Sequence, residues 1–234
     1  MSRDPYLYLD CDVLVNKLNI KNAKKLDQFE NDTLIAAIAN LKAHPMAIKS
    51  LYDIKIIHKE LFQFVYEWAG EIRKINIYKS EPILNGYSVD YTPCDYIEKE
   101  LENLEKKFTS INWNSLTIKE KVSKVSSLIS ELWQIHMFRE GNTRSIAMFL
   151  YFLLKTLDIH INTEFIGKNA KYFRNALVLS CIYDKSKPEY LLGIIKDTIS
   201  YKNIQTNSYL SIDGYEVNKY EYKQHTINKL KTIK

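Results

Sequence analysis

Apolar residues recur at helical spacing along most of the chain, in stripes separated by short polar or glycine-bearing breaks. Leu34, Ile35, Ile38 and Leu41 mark a helix over 32–42, closed by His44-Pro45. Ser50 and Asp53 form a weak capping pair ahead of Ile54, Ile57, His58, Leu61, Phe62, Val65 and Trp68, a long core helix stopped by Gly70. His58 lies on or beside that stripe and reads as a hydrogen-bonded structural histidine. Thr92-Pro93-Cys94-Asp95 supplies an N-cap, a proline at the first helical position and an acid, leading Ile97, Leu101, Leu104 and Phe108. Thr117 and Glu120 cap the next stripe, Val122, Val125, Leu128, Ile129, Leu132 and Ile135. From Ile146 to Leu154 the chain is apolar on every side, the mark of a helix buried in the middle of a bundle. Two more helices are expected, over 170–182 and after Ser186 and Glu189.

Only two stretches break the helical period. Residues 72–79 alternate and residues 89–92 do so again, with Asn85-Gly86 between them, which predicts a small β-hairpin. After about residue 200 the chain turns polar and lysine-containing, and Asp213-Gly214 suggests a terminal hairpin or arm. The expectation is an all-α helical bundle around a buried central helix. One domain covers 1–200, with a short N-terminal arm over residues 6–19, and a polar extension covers 201–234.

Composition narrows the class. Six Gly and five Pro in 234 residues leave no room for a linker-rich architecture. The start, Met-Ser-Arg-Asp-Pro, has no apolar core behind a basic end, and the richest apolar run is about half the ~20 residues that span a bilayer, so neither secretion nor a membrane is expected. Cys11, Cys94 and Cys181 are odd in number and lack metal-site spacing. A net charge of +5 is compatible with a phosphate-bearing ligand and is too mild to indicate direct nucleic-acid binding.

The chemistry concentrates in residues 136–144, His-Met-Phe-Arg-Glu-Gly-Asn-Thr-Arg, between two apolar helical patterns. A helix N-terminus at Gly141-Asn142-Thr143 offers unpaired N–H groups to a phosphate, and Gly141 removes the Cβ that would block its approach. Arg144 can grip phosphate oxygens in a fork. Glu140 adds one hard oxygen, the usual protein share of a Mg²⁺ bound to substrate phosphates. His136 can take a proton from an attacking hydroxyl.

This stretch resembles the Fic family motif H-x-F-x-(D/E)-G-N-x-R, matched in register by His136, Phe138, Glu140, Gly141, Asn142 and Arg144. His58, Leu61, Phe62, Val65, Tyr66, Trp68, Ala69, Gly70 and Arg73 are similar to the family's helix and turn leading into its target-positioning flap, where the expected hairpin falls. The resemblance covers about residues 5–200. It implies the Fic fold and a protein adenylyltransferase that moves AMP from ATP to a hydroxyl side chain, with His136 as general base, Glu140 on Mg²⁺, Gly141, Asn142 and Thr143 around the nucleotide, Arg144 on phosphate and Phe138 as a structural anchor. Ile75, Asn76, Ile77 and Tyr78 would form the flap that pairs with an extended target segment. It also implies a cytoplasmic bacterial protein of the toxin branch, whose targets include type II topoisomerases, with a small antitoxin carrying the inhibitory helix. Ser180-x-x-x-Asp184-Lys185 is the nearest copy of that helix's pattern, and its last residue does not fit.

Three positions depart from the family pattern. Met137 stands for the usual Pro, Thr143 for a Gly, and Ala147 for a second Arg. Arg144 and Ala147 share a helix face, so one of two expected cations is missing. A Doc-like phosphotransferase and a catalytically silent Fic-fold interaction module therefore stand beside the adenylyltransferase.

Overall fold

The computed structural model describes residues 4–182 and 186–206. The Asp213-Gly214 turn, and Asp184 and Lys185, lie outside the described residues. The fold is all-α: eight α-helices, α1 (Ala23–Ala43), α2 (Asp53–Phe62), α3 (Ile97–Thr109), α4 (Ile118–Ile135), α5 (Asn142–Thr156), α6 (Thr163–Lys168), α7 (Ala170–Ser180) and α8 (Pro188–Thr206), are found among the described residues. No helix there is long and apolar enough to cross a membrane.

Contacts divide the chain into two compact units. The first takes the residues up to Asn76, then Thr92–Ser110 and Ile135–Thr156. Here α2 packs against both α1 and α5. Leu51, Ile54, Ile57, Leu61 and Phe62 are buried with Phe149, Leu150 and Leu153 of α5, each contributing about 1.5–3 kcal/mol of apolar burial. The apolar run of α5 is enclosed on nearly every side, as its sequence requires. Two side chains fix the helix ends: the Leu51 N–H donates to Glu105 of α3 at 2.7 Å, and the Ile48 N–H donates to Thr156 Oγ1 at 2.9 Å.

Helix α1 begins nine residues earlier than its apolar pattern suggests. Asn22 caps it by accepting from the Lys25 N–H, and the buried face is Leu26, Glu30, Ala37 and Leu41 rather than Ile35, which is 70% exposed. α2 stops at Phe62, not at Gly70. The next turns fold back: Val65 and Tyr66 both donate to the Phe62 carbonyl, and the Val65 carbonyl is taken by the Lys17 N–H. The Thr92 cap is also replaced. A single 3-10 turn, Cys94–Tyr96, precedes α3, because the Thr92 carbonyl accepts from Arg73 and the Cys94 N–H donates to Asn76 Oδ1 at 2.8 Å.

The second unit comprises Ile77–Tyr91, Ile111–Gln134 and the chain from Leu157 onward. α7 packs on α8, and α6 touches both. Thr117 and Glu120 make the expected reciprocal cap of α4: the Thr117 N–H donates to Glu120 Oε2 at 2.8 Å and the Glu120 N–H to Thr117 Oγ1 at 3.3 Å. The hairpin is corrected. No strand forms among the described residues; residues 75–80 do alternate between half-buried and exposed, but Pro82–Leu84 closes into a 3-10 turn and Asn85 adopts a left-handed conformation. The loop is held instead by the Glu81 N–H to the Tyr87 carbonyl (3.0 Å) and by a buried Glu81 carboxylate, which accepts from Arg174 at 2.6 Å and from the Tyr91 hydroxyl at 3.3 Å. Pro82 has no N–H to give a ladder, and a side chain replaces the missing main-chain bonds.

Candidate active site

Residues 136–144 lie wholly in the first unit and form the turn that enters α5. His136 directly follows α4 with φ +49, a left-handed conformation unusual for a residue with a side chain. Arg73 holds it there. That guanidinium is 2% exposed; its Nε donates to the His136 carbonyl at 2.8 Å, Nη1 to the Ile75 carbonyl at 2.6 Å, and Nη2 to the Thr92 carbonyl. The Arg73 N–H also donates to the Met137 carbonyl at 2.8 Å. One cation thus ties the expected base to backbone at both edges of the flap segment. Arg73 belonged to the recognised motif, yet its buried, carbonyl-bound state has no signature in sequence.

Phe138 is buried and stacked on His58, with ring centroids 3.8 Å apart. His58 is itself fully buried, and its two nitrogens have separate tasks. The Gly70 N–H donates to Nδ1 at 2.8 Å, so the proton of the neutral ring sits on Nε2, which donates to the Glu140 carbonyl at 3.0 Å. Burial pushes the imidazole down to about 4, which keeps this neutral form. The expected structural histidine is therefore a clamp on the motif loop.

Gly141 has φ +80, and a Cβ there would lie 2.4 Å from the Phe62 ring. The need for glycine comes from that ring and from the left-handed turn. Asn142 is buried, and its side chain braces Phe138: Oδ1 accepts from the Phe138 N–H at 3.0 Å and Nδ2 donates to the Phe138 carbonyl at 2.7 Å. Its backbone N–H faces the start of α5, where an anion would sit. The N–H groups of Asn142, Thr143 and Arg144 form the first turn of α5, where no intrahelical acceptor exists.

Arg144 is 30% exposed along its side chain and lies over the Phe62 ring at 4.9 Å. Its Nη1 is paired with Glu30 of α1, and its Nη2 is 3.9 Å from Glu140 Oε1. The Glu30 carboxylate is buried and also accepts from the Tyr66 hydroxyl at 2.5 Å; burial, then the neighbouring Glu30 charge, raises that phenol well above its usual range. Glu140 is one-third exposed, and its Oε1 accepts from the Gly141 N–H at 3.0 Å. The N-terminal arm reaches the same loop through Asp4, which accepts from Arg139 Nε at 2.9 Å.

Glu30 is the residue that sequence reasoning missed. A carboxylate in a helix ordinarily reads as its solvated face, yet Leu26, Glu30, Ala37 and Leu41 share one helical face, and that register would have flagged a buried acid. For Ile75 to Tyr78 the structure divides the set: Ile75 and Asn76 belong to the first unit, Ile77 and Tyr78 to the second. Tyr78 is 70% exposed and its hydroxyl donates to the Gly86 carbonyl at 2.9 Å. No group of three or more His, Cys, Asp or Glu able to hold a metal occurs among the described residues. The lone Glu140 oxygen fits Mg²⁺ only in the mode where phosphates supply further ligands.

The comparisons with known proteins bear on this arrangement. The Fic/DOC family model matches residues 49–154. Protein adenylyltransferase VbhT of Bartonella schoenbuchensis is 26% identical over 91% of this chain, and the match spans 45% of that relative's length. A probable protein adenylyltransferase of Sinorhizobium fredii is 31% identical over 76% of this chain and 88% of its own. Among solved structures, the N-terminal Fic domain of a putative cell filamentation protein from Bartonella quintana superposes with a TM-score of 0.68 at 25% identity, over 82% of this chain and 90% of that one. The BepC protein of Bartonella tribocorum, solved with bound AMPPNP, gives 0.69 at 24%, over 82% and 95%. With the motif loop, the clamp beneath it and the Sinorhizobium fredii relative at 31% identity over 88% of its length, the chain belongs to the Fic/DOC family.

Proposed function

We propose that the protein transfers AMP from ATP to a hydroxyl side chain of a target protein and releases pyrophosphate. The observation that carries this reading is the meeting of the Arg144 guanidinium and the Glu140 carboxylate, 3.9 Å apart, at the N-terminus of α5, which begins six residues after His136. The relatives' names as protein adenylyltransferases support the same reaction here.

Each residue has a defined task in this scheme. The α5 N-terminus and Arg144 neutralise phosphate charge, most strongly as it develops on the leaving pyrophosphate. Thr143 lines the nucleotide beside Gly141 and Asn142, whose contribution is through the backbone. Glu140 would hold Mg²⁺ with the nucleotide; the ion supplies charge neutralisation of the phosphates. His136 accepts the proton of the target hydroxyl as its oxygen bonds to the α-phosphorus and the bond to pyrophosphate breaks. His136 is 1% exposed, so an acceptor hydroxyl reaches its ring only as covering groups give way. The flap residues Ile75 to Tyr78, which join no ladder among the described residues, would pair with an extended target segment by backbone bonds. The further reading as a cytoplasmic toxin held by a small antitoxin, with a type II topoisomerase among possible targets, rests on the family resemblance.

The deciding experiment supplies α- or γ-labelled ATP, Mg²⁺ and a bacterial lysate to the protein and to His136→Ala. Transfer of α-label by the unaltered protein alone is expected. Transfer of γ-label would establish a Doc-like phosphotransferase, and no label from either would favour an interaction module.

A further inference from the structure

Resting on the reading that nucleotide phosphates occupy the N-terminus of α5, we propose that Glu30 is a positioning residue for phosphate capture, a buried carboxylate that α1 delivers to the back of Arg144. It lies outside the segment matched by the family model. Glu30 is 6% exposed, and both of its oxygens are engaged, one by Arg144 Nη1 and the other by the Tyr66 hydroxyl at 2.5 Å. The guanidinium is thereby fixed on two sides. Glu30 holds one edge, the Phe62 ring covers a face at 4.9 Å, and the side chain retains 30% exposure toward solvent.

An unrestrained arginine loses much rotamer freedom when it grips an anion, and a fork already held in place loses less. That matters more here than at a site with two cations, because position 147, on the same face of α5, is alanine. The pair cannot simply be exchanged for a phosphate. Drawing Arg144 away would leave the Glu30 charge buried with only a phenol beside it, a state that desolvation strongly opposes. A guanidinium has five N–H donors in a fork, so the edge away from Glu30 can meet phosphate while the pair stays intact. Tyr66, 2% exposed, keeps the carboxylate aligned from the opposite side.

The test measures Mg²⁺-ATP binding by calorimetry on the full chain and on Glu30→Gln, Arg144→Ala and the double variant. Glu30→Gln is expected to weaken binding by about tenfold, within the span of coupling energies between contacting groups. In the Arg144→Ala background the same change should add less than about twofold, since Glu30 acts only through Arg144. A merely structural role would lower affinity equally in both backgrounds and overturn the proposal. Binding by Glu30→Gln as tight as, or tighter than, that of the unaltered protein would also overturn it, marking Glu30 as a competitor for Arg144. Should Glu30→Gln fail to fold, Tyr66→Phe keeps both charges and frees one carboxylate oxygen; a smaller loss of affinity is expected, and none would contradict the proposal. Absence of Mg²⁺-ATP binding by the unaltered protein would remove the nucleotide reading itself, and this inference with it.

Discussion

The Nε2 proton of His58 holds the Glu140 carbonyl, and a second proton would have to displace the Gly70 N–H from Nδ1. The ring therefore resists protonation in the fold, down to about pH 4, whereas an unfolded histidine titrates near 6.5. The unfolded chain binds more protons between those values, so the contribution of His58 to stability is complete above about pH 6.5 and falls as the pH drops toward 4, by roughly 3 kcal/mol in all. Asp197 has the opposite sign. Its carboxylate is buried without a hydrogen-bond partner among the described residues, and burial raises it to about 7. The fold then binds the extra proton, and stability is lost as the pH rises from about 4 to 7. Thermal unfolding from pH 7 to 4 separates the two: Asp197→Asn should steepen the acid-side fall, and His58→Gln should flatten it. Equal slopes in His58→Gln and the unaltered protein would remove His58 from the account. That His58 is a hydrogen-bonded histidine was legible in sequence, but its partners were not, because they lie 12 and 82 positions away.

Helix starts with local chemistry were legible and starts with tertiary partners were not. The Thr117/Glu120 box uses only its own turn, and the structure reproduces it; Ser50 and Asp53 make only half of theirs, the Ser50 N–H donating to Asp53 at 3.1 Å, while Tyr52 stands at the N-cap of α2 without a side-chain bond. Thr92 failed as a cap because Arg73, 19 residues earlier, claims its carbonyl. The early half of α1 was lost because Asp27 and Glu30 interrupt the apolar stripe, and α6 because its six residues are too short for periodicity to register. In the flap, the alternation of the sequence appears as alternating exposure over residues 75–80, but pairing depends on a partner strand, and Glu81 side-chain bonds stand in its place. The capping box yields a prediction confined to its element. Thr117→Ala should lower unfolding stability by about 1 kcal/mol and leave Mg²⁺-ATP affinity unchanged, as measured by denaturant unfolding and calorimetry. A change in affinity would mean that α4 does more than support its own unit.

Across the whole molecule, the site is a property of one unit. Helix α5, the α2 clamp, the α1 carboxylate and the turn bearing His136 all belong to the first unit, so the motif read from nine residues draws its geometry from some hundred more. The motif itself was legible as a family signature. What it could not announce were the groups that hold it: Glu30 behind Arg144, Arg73 beneath His136, and Asn142 turned inward to brace Phe138. The departure at Ala147 leaves Arg144 with carboxylates at Glu30 and Glu140, an arrangement suited to phosphates that arrive with a divalent cation. The most direct test of the central claim is mass spectrometry of proteins modified in a bacterial lysate supplied with ATP and Mg²⁺. The account predicts a target peptide carrying one adenylate on a Ser, Thr or Tyr hydroxyl, formed by the unaltered protein and lost with His136→Ala or with chelator. A phosphate adduct in its place, or an adenylate formed equally by His136→Ala, would contradict it.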